Sequence, residues 1–356
     1  MTTSEEKRPG TDDKSTRAAN IFDVARLAGV SHQTVSRVLN NIPSVRPATR
    51  ERVEQAIAQL RYSPSPAARA LVTKRTRTIG LITPGTYEYG PTSTAVNFNV
   101  AARAARFSVD TVSSLDSDPL GVRGIVESLL RQRVDAIVLV VADVGVLDVV
   151  LGLDLGIPIV IVAASTRRSS SVISIDQYRG ARTAVNHLIE LGHDRIFHLG
   201  GPPQAPDSVE RVRGWRDEMT ANRLVVHEVP HGDWSARSGY EIGIQMTDIE
   251  PGSAVFAAND YMALGLISAL HARGLRVPED VSVVGFDDVP EAGFIMPPLT
   301  TIRQDFASFG ALIMQKVLIA MEEPDNVSES TPLPTSLVVR ASTRRLGPSA
   351  SDTVGR

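Results

Sequence analysis

Seven polar side chains crowd into the ten residues SHQTVSRVLN: Ser31, His32, Gln33, Thr34, Ser36, Arg37 and Asn40. On a helix Gln33 and Arg37, four apart, share one face with His32 and Ser36 beside them, while Val35, Val38 and Leu39 turn inward. Arginine can grip guanine bidentately and glutamine can grip adenine, each good pair discriminating by about 1–3 kcal/mol. Ser31, Thr34, Ser36 and Asn40 are short donors suited to phosphate oxygens, contacts that position a domain without reading sequence. The competing reading is a solvated face on a small helical domain. Elsewhere chemistry-bearing patterns are sparse: no nucleophile elbow, phosphate-cradling loop or metal-binding helix motif occurs. His193 and His198 lie five apart in GHDRIFHLGG, on a turn and a strand, and read as structural. Asp287 and Asp288 are the one weak acid–base pair.

Three short helices must hold the polar decapeptide in place. Asn20 can cap a first helix, with Asp23 in its first turn and Gly29 at its end, where a positive φ is needed. Ser31 offers the cap for a second helix over 32–39. A third starts near Pro47, tolerated in a first turn, and buries Val53, Ile57 and Leu60 at helical spacing. Helix, glycine turn and helix at this spacing form a helix-turn-helix signature. Residues 63–78, SPSPAARALVTKRTRT, read as a polar linker with a short helix from Pro66 to Val72. From Ile79 the apolar runs IGLIT, DAIVLVV, IPIVIVA, RIFHLGG, AVFAAND and VSVVGFDD alternate with amphipathic stretches. Continuous Val/Ile runs bounded by Gly or Pro predict strands buried on both faces, hence parallel sheets with crossover helices. They are too many for one small sheet, which predicts two α/β layers joined by a hinge.

The charge is divided along the same line. Residues 1–78 hold 14 Lys/Arg against 7 Asp/Glu, a net +7, and the remainder holds 23 against 33, a net −10. A basic head on an acidic body predicts that only the head meets a polyanion. The chain has 356 residues, 42% hydrophobic, and no cysteine, which excludes disulfides and thiolate zinc sites and fits a reducing compartment. No apolar run is long enough to span a membrane, and the charged start MTTSEEKRPGTDDKST reads as a disordered leader rather than a secretory signal, so a cytoplasmic location is expected.

VARLAGVSHQTVSRVLN followed by TRERVEQAIAQLRYSP resembles the headpiece of the lac repressor family of bacterial transcription factors, almost without a gap from residue 20 to 75. The resemblance implies that His32, Gln33 and Arg37 enter the major groove. AARALVTK resembles the family's hinge helix, whose leucine, here Leu71, wedges into the minor groove; an apolar side chain inserted there kinks the duplex and lets more protein surface engage. Two positions depart from the family pattern. Arg46 and Pro47 stand where the third helix is usually capped by serine or a similar residue, and Ser65 replaces a common asparagine.

Residues 79–345 resemble the family's effector-binding core, a fold shared with periplasmic sugar-binding proteins, most densely at GDWSARSGY, AANDYMALG, DVSVVGFDD and PPLTTIRQDF. The implied organisation is an all-α headpiece (19–63), a hinge and linker (64–78), a core of two Rossmann-like parallel-sheet lobes, and a disordered tail (346–356). Lobe one covers 79–175 and 306–333; lobe two covers 176–305 and 334–345. Arg211, Trp234, Asn259, Asp287 and Gln304 match ligand-contacting positions of the family. Planar polar groups for hydroxyl pairs and an aromatic face for a sugar ring are what such a site needs. Singly each has a plainer reading: Trp234 as core, Asp287 as a turn residue, Asn259 as a loop cap. In lobe one, Val140 and Ala163 fall where the family's namesake has polar ligand contacts, and neither can bond a hydroxyl, which predicts a different ligand or pose. Tyr87 and Tyr89 could supply hydroxyls from that lobe.

The expected function is a sequence-specific regulator, released from a pseudo-palindromic operator by a carbohydrate effector, with no cofactor, metal or catalysis. A homodimer is expected, because such readers bind paired half-sites and the tail RLGPSASDTVGR carries no heptads for a tetramer. The alternatives are a solute-binding protein, or an activator or repressor answering a non-sugar molecule.

Overall fold

The computed structural model describes residues 19–39, 42–62, 75–86, 88–114, 119–143, 145–146, 156–164, 171–323 and 330–346. The chain divides into two compact units, residues 1–76 and 77–356. The expected leader, the hinge segment with Leu71, and the tail lie outside the described residues, as does Asn40.

In the first unit, α1 (Ile21–Ala28), α2 (His32–Leu39) and α3 (Pro47–Leu60) surround one small core. Asn20 caps α1, its carbonyl oxygen accepting from the Phe22 and Asp23 amides, while the Asp23 carboxylate accepts from the Asn20 amide at 3.0 Å. Gly29 ends the helix at φ 64°, a conformation that costs a residue with a Cβ. The chain can then turn into α2, whose first turn is held by Ser31 Oγ accepting from the Thr34 amide at 3.2 Å. α3 begins with Arg46 at the cap position and Pro47 behind it, and no side chain caps it. Val24, Val35 and Val53, one from each helix, are fully buried together with Ala25, Ala28, Val38 and Ala56.

The second unit contains two five-stranded sheets. The first has the order β2-β1-β3-β4-β5, all parallel, built from β1 (Thr78–Pro84), β2 (Ser108–Ser114), β3 (Ala136–Val140), β4 (Ile159–Val162) and β5 (Val172–Ile173). α4 (Tyr89–Ala104) and α10 (Phe306–Glu322) cover one face through Phe98, Phe309, Ile313 and Val317, and α5 (Pro119–Arg131) covers the other through Val126 and Leu129. The second sheet has the order β10-β9-β8-β7-β6, from β6 (Ile196–Leu199), β7 (Ala254–Ala257), β8 (Ser282–Asp287), β9 (Thr300–Arg303) and β10 (Ser336–Val338), of which only β10 runs antiparallel. One face is packed by α6 (Gln177–Glu190) and α7 (Pro206–Ala221), with Trp215 fully buried. α9 (Asp260–Ala272) covers the other face with α8 (Ala236–Gln245) against it. Among the described residues the chain passes between the sheets near 174–176, 304–305 and 334–335.

All six apolar runs form strands, as residues buried on both faces require. The pattern missed β2, SVDTVSS, because it is an edge strand with alternating exposure and little apolar content. It also missed β5 and β10, of two and three residues, which are too short to show a period, and β9, TTIR, whose single apolar residue makes no run.

Candidate functional site

Two surfaces concentrate the polar chemistry, and they are built in opposite ways. On the first unit, Ser31, His32, Gln33 and Arg37 are exposed, with Thr34 and Ser36 half-buried along the same side of α2. Val35 and Val38 anchor the opposite side, at 0% and 6% exposure. The His32 ring rests against Phe22 at 5.2 Å between centroids, and Phe22 itself is 58% exposed. Ser31 and Thr34 hydroxyls lie 3.0 Å apart. Arg37 anchors the turn through its backbone, its carbonyl accepting from the Ile42 amide at 3.0 Å, and leaves its side chain exposed. The helix therefore presents a bidentate donor and an amide at one polar edge, while packing forbids it to roll.

In the second unit the first sheet's order reverses between β1 and β3, and ligands in open α/β sheets bind at the carboxyl ends of strands beside such a reversal. A cleft of about 900 Å³, open to solvent, lies there. From the first sheet it is lined by Pro84, Thr86, Glu88 and Tyr89 after β1 and by Val141 and Ala142 after β3. From the second sheet it is lined by Asp207 and Arg211 of α7, Trp234, Asn259 after β7, and Asp287 at the end of β8. A smaller recess of about 430 Å³ shares Gly90, Pro91, Val141 and Asp207 with it and adds Val140, Ala163, Gln177 and Gln304. The five residues singled out in sequence thus converge, four on the cleft and Gln304 on the recess.

Arg211 organises the wall. It is only 3% exposed; Nε donates to Gln177 Oε1 at 2.9 Å and Nη1 donates to the Ala258 carbonyl. Its Nη2 lies 3.5 Å from Asp287 and 4.0 Å from Asp207. Its guanidinium lies over the Phe286 ring at 3.8 Å and over Trp234 at 5.4 Å. Gln304 Nε2 donates to Asp287 at 2.7 Å, and Gln177 Nε2 donates to Gln304 Oε1 at 2.9 Å, so Arg211, Asp287, Gln304 and Gln177 form a closed ring of bonds. A buried charge is tolerable only when so satisfied. Trp234 stands at φ 73° and Asp287 at φ 110°, both at positive φ, where a residue with a Cβ is sterically restricted. The Trp234 indole packs against Gly201, where an added Cβ would come within 2.3 Å of it.

Asn259 also does what its plainer reading required. Its carbonyl oxygen accepts from the Met262 amide at 2.8 Å, capping α9, and its Nδ2 donates to the Trp234 carbonyl at 3.0 Å. Asp288, by contrast, turns to Arg303 and Arg340, each at 2.6 Å. Val140 and Ala163 line the recess and offer it only carbon. Tyr89 lines the cleft with its ring edge-on to Phe306 at 5.6 Å, while Tyr87 lies outside the described residues. His193 is buried between the Gly252 carbonyl and Ser282 Oγ, each at 2.9 Å. His198 stacks on Phe256 and Trp215, and its burial pushes its pKa down to about 3, which keeps it neutral. Among the described residues no group of three His, Cys, Asp or Glu is placed to hold a metal ion, and no helix is long and apolar enough to cross a membrane.

Three cleft residues escaped the sequence reading. Gln177 follows the cap of α6 and carries no motif signal. Asp207 lies four residues before Arg211 in the first turn of α7, a helical spacing that could have flagged it. Burial raises the Asp207 pKa, although water in the cleft still reaches its side chain, and the nearby Arg211 and the Ala164 amide oppose the rise. Glu88 sits in GTYEYGP, directly after the first strand, where the strand-end rule already pointed. Burial, then Asp207, Asp287 and Asp233, lift its pKa to about 7 against the bond from Thr86. Burial likewise lifts Asp287 to about 6, opposed by Arg211 and Gln304.

Comparison with known proteins places these surfaces in context. Residues 20–65 match the model of bacterial regulatory proteins of the lacI family, and residues 185–343 match that of the periplasmic binding protein-like domain. The chain is 34% identical to the lactose operon repressor of Escherichia coli K12 over 333 residues, 92% of this chain and 91% of that protein. It is 35% identical to the HTH-type transcriptional regulator CelR of Thermobifida fusca, over 89% of this chain and 94% of that one. Among solved structures, the lac repressor dimer bound to operator and the anti-inducer ONPF superposes with a TM-score of 0.83 at 34% identity, covering 92% of this chain and all of that one. A CelR–cellobiose complex superposes with a TM-score of 0.68 at 30% identity, covering 91% and 99%.

Proposed function

The chain belongs to the lacI family of bacterial regulatory proteins, and from that premise we propose that it is an operator-binding transcriptional repressor released from DNA by a carbohydrate lodged in the cleft of its second unit. The observation that carries the reading is α2: a helix packed on one side by Val35 and Val38, with Gln33 and Arg37 exposed on the other. Arg37 and Gln33 read base edges, His32 sits beside them, and Ser31, Thr34, Ser36 and Asn40 hold phosphates. Leu71 wedges into the minor groove. The net +7 of residues 1–78 supplies the salt-dependent part of the affinity.

Trp234 offers a face to a sugar ring, and Arg211, Asn259, Asp287 and Gln304 face its hydroxyls; relatives crystallised with ONPG and with cellobiose support a carbohydrate. The guest regulates only if it binds one arrangement of the two lobes more tightly than the other. The segments near 174–176, 304–305 and 334–335 are where the lobes hinge. A dimer is supported by the dimeric lac repressor and by α4, which leaves Val96 58% and Val100 63% exposed. With Arg211, Asp287 and Gln304 resembling the family's ligand-contacting positions and the relatives named as regulators, no catalytic role is assigned to the cleft, and its setting is the bacterial cytoplasm beside DNA. Gel shifts on DNA flanking the chain's own gene, with and without a panel of sugars, test the whole reading: a shift reversed by a sugar supports it, and no preference over scrambled DNA defeats it.

A further inference from the structure

The cleft has one basic side chain among the described residues that line it, and that charge is already engaged. Arg211 is held by Asp287, Asp207, Gln177 and the Ala258 carbonyl, sandwiched between Phe286 and Trp234. Asp287 receives Gln304 as well, and Asp207 receives the backbone amide of Ala164 from across the cleft. These three charged groups form a mutually satisfied set of net −1. Glu88 enters from the opposite wall, just beyond β1, and among the described residues meets the short hydroxyl of Thr86 and the field of the Asp207, Asp287 and Asp233 carboxylates. With every carboxyl ionised, the described lining residues Glu88, Asp207, Asp287 and Arg211 sum to −2. Charges facing one another in a poorly hydrated cleft interact more strongly than in water. An anion entering here meets the Asp207 and Asp287 carboxyls and favours keeping the proton on Glu88, whereas a cation favours its release and pairs with the carboxylate.

We propose that Glu88 is the specificity-determining residue of the cleft, selecting an effector that carries a protonated amine on a polyhydroxylated ring, an amino sugar, and rejecting sugar acids and sugar phosphates. This rests on the reading of the cleft as the effector site and names the class of molecule it takes. Trp234 and the Arg211–Asp287–Gln304 ring suit the hydroxyl-bearing ring, and Glu88 is placed to receive the ammonium from the other lobe. Because that carboxyl holds a proton up to about pH 7 in the empty cleft, an ammonium beside it must expel the proton to solvent. Nothing else is transferred: the ammonium keeps its protons and Glu88 becomes a carboxylate. The balance is set first by burial and then by Asp207, Asp287 and Asp233, which hold the proton on, against the bond from Thr86, which opposes them.

The test is isothermal titration of the full-length protein at about pH 6.5, where an alkyl amine of this kind stays protonated. The probes are glucose, glucosamine and glucuronate, and the galactose, galactosamine and galacturonate set. The amine of one series should bind at least about tenfold more tightly than its neutral parent, with the uronate undetected. Repeating the titration in buffers of different ionisation enthalpy should show release of about half a proton or more per guest. Glu88→Gln should shrink the amine's advantage to within about twofold and abolish the proton release, because the amide can accept from an ammonium but cannot neutralise it. Equal binding of amine and parent, a uronate that binds as well as its parent, or no binding by any of the six overturns the proposal. Operator binding of both proteins, measured on the same preparations, reports folding and the regulator reading separately: a chain that binds operator while ignoring every amine refutes the amine and leaves the regulator standing.

Discussion

The two polar surfaces of this protein solve opposite problems. On α2 the polar side chains proposed to read DNA stand at the surface: Gln33 and Arg37 are exposed, and the apolar underside of the helix fixes its direction. In the cleft the functional side chains have bonded one another first, so Arg211, Asp287, Gln177 and Gln304 are all nearly buried and closed into a ring. A surface that reads a polyanion in water needs reach and positive charge. A pocket that discriminates small polar molecules needs donors and acceptors already oriented, because a wrong guest then leaves buried groups unpaired.

If this contrast is correct, truncation should act on different properties in the two places. The largest effect is expected from Arg211→Ala, which strands the Asp287 carboxylate and Gln177 inside the protein. Breaking a buried pair of this kind costs about 3–5 kcal/mol, so the unfolding midpoint of the second unit should fall sharply in urea, and effector binding should vanish. Arg37→Ala removes an exposed side chain and should leave folding within about 0.5 kcal/mol of the parent. It should weaken operator binding by about 1–3 kcal/mol and relax base preference at one position, seen by fluorescence anisotropy on a set of single-base operator variants. Effector titrations of that variant should match the parent. Asn20→Ala sharpens the comparison from inside the first unit: loss of the α1 cap should cost about 1 kcal/mol, read as lower amide-exchange protection in α1 with the second unit unchanged.

The smallest effect is a slope. Glu88 has a folded pKa raised above its unfolded value, so the folded state holds a proton that the unfolded state has lost between about pH 4.5 and 7. Stability contributed by this group is therefore present below that window and is lost as pH rises through it. Glu88→Gln should flatten the fall in stability across the window and leave the slope due to Asp287, whose raised pKa of about 6 acts in the lower part of the same range. Urea midpoints at closely spaced pH values would show it.

The same contrast explains what the sequence could and could not tell. The headpiece is local: Asn20, Asp23, Gly29, Ser31 and Pro47 punctuate three helices within forty residues or so, and caps and periodicity act over a few residues. Most central strands were readable because burial on both faces forces an apolar run, whereas β2 was hidden by its place at the edge, β5 and β10 by their brevity, and β9 by its threonines, which are buried without being apolar. The cleft is assembled from positions 88, 177, 207, 211, 234, 259, 287 and 304, brought together by crossover connections. Five of these emerged through family resemblance. Glu88, Asp207 and Gln177 did not, since the Gln177–Gln304 bond spans 127 residues and no local pattern announces such a partner. Asn259 was legible in two ways, as a cap by its own chemistry and as a cleft residue through the resemblance; its carbonyl oxygen caps α9 and its amide donates to the Trp234 carbonyl.

What joins the two surfaces into one function is the claim that a guest in the cleft loosens the hold of α2 on DNA. The direct measurement is operator binding by fluorescence anisotropy, with a labelled duplex from the chain's own promoter, against increasing amounts of each neutral, amine and acid sugar named above. The parent protein should lose at least about tenfold in operator affinity with one of these sugars, and Arg211→Ala, at temperatures where it stays folded, should bind the same duplex with no response to any of them. Release of Arg211→Ala by the same sugar, or a parent protein whose grip no sugar in the panel alters, would contradict it.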